Sequence, residues 1–265
     1  MNPTDLVLTE RRGAVLVVTF NRPERLNAWT SALEDQYFTV LDEADLDPNV
    51  RAIVITGAGK GFCAGADMDD LGDVSRGERS IDRPRPRYTP ALINTPLISA
   101  INGAAAGLGL IEALYADIRF CTPNAKITTA FARRGLIAEY GLSWLLPQLV
   151  GHARASDLLL SGRVITGEEA HRYGLVDELV DAERVVDAAV EYATDLARFS
   201  SPTSMAVMKQ QLRDALGFEQ MIVASDQSEA LTRVAVTRSD FAEGIASYVE
   251  KRDPNFAPYN GPLLP

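Results

Sequence analysis

The chain is poor in the residues that metal and thiol chemistry use. Among 265 residues there are two cysteines, Cys63 and Cys121, and two histidines, His152 and His171. Two cysteines are too few for a disulfide framework or a thiolate metal cluster. Both histidines sit in polar, helical surroundings and read as solvated surface groups. A metal site and a histidine-dependent triad are therefore not expected. No run of eighteen apolar residues occurs, so no transmembrane helix is expected. Basic residues are outnumbered: 26 Lys and Arg stand against 36 Asp and Glu, for a net charge of −10. That balance makes nucleic acid and anionic membrane surfaces poor partners. The opening MNPTDLVLTE carries an acid and no basic-then-apolar leader pattern, and the expected location is the cytoplasm.

What is present is an ordinary water-compatible mixture, 46% hydrophobic and 23% charged, of a length that suits one large domain or a domain with a helical appendix. Runs rich in β-branched and apolar residues predict strands at 13–20, 50–56, 96–101 and 117–121, with a short fifth at 126–130. Thr30 reads as the cap of a helix to about Leu46. Segment 69–88 is polar, with five arginines among prolines, and reads as a mobile surface excursion. A short helix is expected at 110–115. Beyond Tyr140 the pattern turns helical, with Leu142, Leu145, Leu146, Leu149 and Val150 at i, i+3, i+4, i+7 and i+8. Further helices are expected at 155–161, 167–173, 182–199, 202–216, 218–236 and 239–251. The expected class is α/β, a β/α core followed by a helical C-terminal third.

Two glycine-rich loops follow predicted strands, at 57–67 and 102–109. Glycine lets a backbone approach a ligand closely. The second loop leads into a helix, whose first N–H groups suit an anion or a developing oxyanion. Familiar nucleotide and hydrolase motifs fail. Gly103, Gly107 and Gly109 do not space as G-x-G-x-x-G, GAGKG lacks the P-loop Lys-Ser/Thr pair, and Ser143 in YGLSWLL is not a nucleophile elbow.

The blocks GKGFCAGADM, NGAAAGLGLIEALYADIRFC and SGRVITGEEAHRYGLVDELV resemble the successive signatures of the enoyl-CoA hydratase/isomerase (crotonase) superfamily. NRPERLNAW resembles its first loop and FAEGIASYVEKRDPNF its C-terminal helix, so the resemblance runs from about residue 12 to 257. It implies a crotonase-like fold of repeated ββα turns with a C-terminal helical trimerisation region. The corresponding division is 1–200, carrying the CoA site, and 201–265, serving oligomerisation. It further implies an acyl-CoA substrate of fatty acid metabolism, with coenzyme A as part of the substrate and no covalently bound cofactor. The implied assembly is a homotrimer or a dimer of trimers.

The resemblance also assigns residues. Backbone N–H groups of Ala66 and Leu108 would form the oxyanion hole, although the family commonly has glycine where Leu108 stands. Arg25, Leu26, Ala28, Ala64, Asp67, Met68, Gly107, Ile111, Phe131 and Lys251 would contact the CoA or the acyl group, with Arg22 as a further cation and Lys251 reaching a neighbour's site. Two catalytic glutamates of typical hydratases are replaced here by Ile111 and Phe131. Glu112 is one step, about 100°, around the helix from the first slot and reads as structural. Glu139, in GLIAEYG, matches a carboxylate position of some isomerases of the superfamily. Two readings stand for it: a lone acid/base poised between burial and a helix N-terminus, or a helix cap paired with Arg133 or Arg134. Isomerase, hydratase, thioester hydrolase, C–C bond-cleaving enzyme and non-catalytic CoA-binding protein all remain open at this point. Ile111, Phe131, Tyr140 and Trp144 point to a bulky apolar acyl lining.

Overall fold

The computed structural model describes residues 5–259; the outer ends of the 1–200 and 201–265 division lie outside them. The element order is β1 (Val7–Arg12), β2 (Val15–Phe20), α1 (Ser31–Leu46), β3 (Ala52–Gly57), β4 (Gly61–Cys63), α2 (Met68–Ser75), α3 (Thr89–Leu92), β5 (Leu97–Ile101), β6 (Ala104–Ala106), α4 (Leu108–Leu114), β7 (Ile118–Cys121), β8 (Lys126–Thr128), α5 (Leu142–Val150), α6 (His152–Ser161), β9 (Ile165–Thr166), α7 (Gly167–Tyr173), β10 (Glu178–Leu179), α8 (Val185–Phe199), α9 (Pro202–Leu216), α10 (Phe218–Ala235) and α11 (Ser239–Glu250).

Two sheets carry the core. The larger has the order β1-β2-β3-β5-β7-β10 and the smaller β4-β6-β8-β9. In the larger sheet only the β1–β2 pair is antiparallel. Three of its strands hand the chain to the smaller sheet after a short loop: β3 to β4, β5 to β6, and β7 to β8. This repeated turn of strand, strand and helix is the expected ββα unit.

Alternation along the strands divides the core. Val18, Phe20, Ile53 and Ile55 face one side with α1 and α4, whereas Val15, Val17, Ala52, Val54 and Ile98 face α8. A parallel sheet covered by helices on both faces explains why β3 is buried throughout. Ala189 and Ala193, one turn apart, let α8 lie close against that second face. Thr30 caps α1 as expected, its hydroxyl accepting from the Leu33 N–H at 3.2 Å.

One strand was not expected and two expectations are corrected. Val7–Arg12 forms an edge strand; its exposed, charged outer positions gave no apolar run to read. Both glycine-rich loops contain strands, β4 and β6, too short for any periodicity. Segment 69–88 is not wholly irregular: its first part lies in α2, capped by the Asp67 carboxylate, which accepts from the Asp69 N–H.

Candidate active site

Pairing of β4 with β6 brings the two glycine-rich loops together. Gly65 has φ +90°, and a Cβ there would stand 2.7 Å from the Ala106 carbonyl oxygen. Only glycine permits both the backbone conformation and the approach. The neighbouring amides fix the direction of Ala66. The Trp29 N–H donates to Gly65 O at 2.7 Å, and the Asp67 N–H donates to Trp29 O at 2.9 Å. Successive peptide groups in an extended segment alternate sides, so the Ala66 N–H points away from Trp29. Leu108 is the first residue of α4, and its N–H lacks an intrahelical acceptor. The leucine side chain is packed into the core, so the position opposite a main-chain donor is met without glycine.

Both residues line one cavity of about 650 Å³. Arg25, Leu26, Ala28, Ala64, Asp67, Met68, Gly107 and Phe131 line it as well. Asn27 builds this rim: its side-chain amide donates to Ala58 O and Gly61 O while its oxygen accepts from the Arg22 N–H. The Ala64 N–H donates to Leu26 O at 3.0 Å, joining the two segments. Asp67 is buried and binds Arg22 at 2.8 Å and Arg25 at 3.2 Å. Burial opposes its ionisation, but the hydrogen bonds from Arg22, the Asp69 amide and Arg25 hold its carboxyl below the usual range. Its carboxylate therefore orients Arg25, which lines the cavity, and Arg22 behind it.

Four expected residues do not line the cavity; Arg22 is one, held by Asp67 and the Ala28 carbonyl. Ile111 is fully buried within the core, one turn into α4. Lys251 is exposed just beyond α11, in a left-handed backbone conformation, away from this chain's own cavity lining. Trp144 packs against the core rather than lining the cavity.

Glu139 lines the cavity and is 8% exposed. Among the described residues it forms no ion pair within 4 Å. Arg133 donates to Ser161 O, and Arg134 stacks over the Tyr248 ring at 4.0 Å. The N-cap of α5 is Gly141, with no side-chain cap. The carboxyl thus neither caps that helix nor pairs with either arginine. Burial pushes it up from 4.5 to about 7, against the pull of Arg87, a hydrogen bond with Thr232 and the charge of Arg83. Thr232 also donates to Ser228 O at 2.8 Å, which fixes its hydroxyl on α10.

The turn that presents Glu139 is fixed from α4. The Tyr115 hydroxyl, at the end of that helix, donates to the Tyr140 carbonyl. Tyr140 itself has φ 52° and donates from its hydroxyl to buried Glu34 at 2.9 Å. Glu34 also accepts from Trp29 Nε1 at 2.9 Å. The helix that begins at Leu108 therefore also anchors the turn that carries Glu139.

Glu112 is fully buried, and neither carboxyl oxygen has a hydrogen-bond partner. Burial, and then the charge of Glu34, push its carboxyl well above the usual range. Cys63 is buried with its thiol pushed up to about 12, chiefly by desolvation, and is no thiolate nucleophile. No His/Cys/Asp/Glu group suited to a metal ion occurs among the described residues. Sequence reasoning missed Thr232, Val236 and Tyr248, which the C-terminal helices bring to the cavity. It also missed Arg87, which nothing in the pattern separates from the other arginines of its segment.

Residues 10–258 match the family described as enoyl-CoA hydratase/isomerase. The chain belongs to the enoyl-CoA hydratase/isomerase family. It is 34% identical over 268 residues to a 1,2-epoxyphenylacetyl-CoA isomerase of Escherichia coli, covering 95% of this chain and 98% of that protein. An enoyl-CoA hydratase structure from Mycobacterium marinum is similar at 46% identity and TM-score 0.69, over 79% of this chain and 98% of that one. A monofunctional enoyl-CoA isomerase from M. smegmatis is similar at 34% identity and TM-score 0.68, over 81% and 95%. Relatives of this enoyl-CoA hydratase/isomerase family member thus carry both activities in their names.

Proposed function

We propose that the protein is an enoyl-CoA isomerase, with Glu139 as its single acid/base and the Ala66 and Leu108 amides as its oxyanion hole. The carrying observation is a buried carboxyl near its titration point in the same cavity as both amides. With the thioester oxygen held by the two N–H groups, ionised Glu139 takes a proton from the α carbon of a 3-enoyl-CoA. The electron pair moves into the thioester as an enolate, and each donor is worth about 2.7–4 kcal/mol to such an anion. Protonated Glu139 then returns the proton at the γ carbon, leaving the double bond conjugated. One carboxylate suffices, because the proton it removes is the proton it restores.

Hydration is the second reading, favoured by the hydratase relatives. Glu139 would then activate a water toward the β carbon and deliver a proton to the α carbon. Arg25 and Arg22 would meet the CoA phosphates or adenine, and Lys251 would serve a neighbouring subunit's site. The lining by Phe131, Tyr140, Leu136 and Leu71 favours a bulky acyl group, branched or ring-bearing. We take the 202–250 helices as the assembly surface of a homotrimer or dimer of trimers, and the cytoplasm as the compartment. Met208, Leu212 and Leu216 form an exposed stripe at i, i+4 and i+8 on α9, which supports that assembly. Purified protein assayed with 3-enoyl- and 2-enoyl-CoAs of graded length tests the reading: isomer interconversion supports it, and thermal stabilisation by acyl-CoA without turnover rejects it.

A further inference from the structure

Arg87 ends the irregular segment 76–88 and is 8% exposed. Three contacts hold its guanidinium. Cζ lies 4.7 Å from the Tyr140 ring centroid, Nη2 donates to Ile81 O at 2.6 Å, and Nε is 4.0 Å from Glu229 Oε2. Tyr140 is the residue next to Glu139. Glu229 stands one turn before Thr232, the hydroxyl that meets Glu139. The two elements framing Glu139 are therefore the two that grip Arg87. The Nε of Arg87 has no hydrogen-bond partner, and Arg87, Glu139, Tyr140 and Thr232 all line the cavity.

The other charged groups around Glu139 are engaged elsewhere. Arg83, from the same segment, lies 3.4 Å from Glu34 on α1, which also accepts from Tyr140. Glu229 on α10 is shared with Arg233. Arg134, which also lines the cavity, stacks on Tyr248 of α11 at 4.0 Å.

We propose that Arg87 is a positioning residue for Glu139: fixed over Tyr140, its guanidinium keeps the buried carboxylate charged and aimed into the cavity. This rests on the acid/base reading above. A cation in a low-dielectric cavity favours a nearby carboxylate over its neutral acid, and the stacking on Tyr140 fixes where that cation sits.

The test reads Glu139 directly. Infrared difference spectra against Glu139→Gln, recorded from pH 5 to 9, follow the protonation of this one carboxyl in the wild type. The same is done for Arg87→Gln against the double variant. Arg87→Met, which keeps length and fills the space over Tyr140, serves where Arg87→Gln does not fold. The midpoint is expected to rise by about one unit in either neutral variant, lowering the ionised fraction near pH 7 roughly fivefold. The limb of the kcat profile should move with it while KM stays unchanged. An unmoved infrared midpoint overturns the role of Arg87, whatever the activity. A moved midpoint with full turnover in Glu139→Gln overturns the catalytic reading and, with it, any catalytic consequence of the positioning.

Discussion

Gly109 packs on Cys63 at backbone distance: a Cβ on Gly109 would lie 2.3 Å from the Cys63 carbonyl oxygen and 2.6 Å from its sulfur. This contact sets α4 against β4, and so sets the Leu108 amide relative to the segment that carries Ala66. Gly109→Ala should push the two apart. A displacement of about 1 Å in a catalytic constellation lowers rate by about 10²-fold, and overpacking costs about 1–3 kcal/mol. Steady-state rates and thermal melts of the variant check this. Unchanged activity would mean that the junction does not set the site.

Glu139 makes stability depend on pH. Its carboxyl is raised from 4.5 to about 7, so between those values the folded protein keeps a proton that the unfolded chain releases. The contribution is full below about pH 4.5 and is lost as pH rises through about 7. Holding the group ionised in the fold at pH 8 costs about 3 kcal/mol. Glu139→Gln removes that cost. Its stability advantage over the wild type should be small at pH 5 and grow toward pH 8, as denaturant titrations at the two pH values would record.

Glu112 should behave as a structural group. Its carboxyl is buried and unpartnered, burial pushes it well above the usual range, and it does not line the cavity. Glu112→Gln should leave turnover near the wild-type level. Glu112→Leu should raise stability by about 1–3 kcal/mol, because it replaces an unsatisfied polar group by an apolar one. A large loss of kcat in Glu112→Gln, with the fold intact, would contradict the structural role.

The exposed stripe on α9 gives a test of assembly. Met208→Glu combined with Leu212→Glu places two charges on it. Sedimentation should then show loss of the proposed trimer or dimer of trimers, with each chain still folded by circular dichroism. An unaltered oligomer would move the interface elsewhere.

The strands β2, β3, β5 and β7 and the helix α1 were legible because burial on both faces writes long apolar runs, and because Thr30 marks a helix start. Strands β1, β4 and β6 were not. One is half exposed at a sheet edge, and the others are three residues long and rich in Gly and Ala, which carry no periodicity. The rim residues Arg25, Leu26, Ala28 and Ala64 were reached through signature blocks, since contiguous motifs survive folding as contiguous loops. Ile111 and Lys251 came from the same blocks, yet their side chains lie elsewhere in this chain. Thr232, Tyr248 and Arg87 are separated from Glu139 by dozens of residues, and only the docking of α10, α11 and segment 76–88 joins them. The burial that raises Glu139 is likewise a property of packing and not of its local sequence.

The central claim is that Glu139 carries the proton. Glu139→Gln keeps the shape and the Thr232 contact while removing the titrating group. With an enoyl-CoA that the wild type turns over, the variant should lose about 10²–10⁴-fold in kcat and retain its fold and acyl-CoA affinity. Turnover equal to that of the wild type would contradict the account.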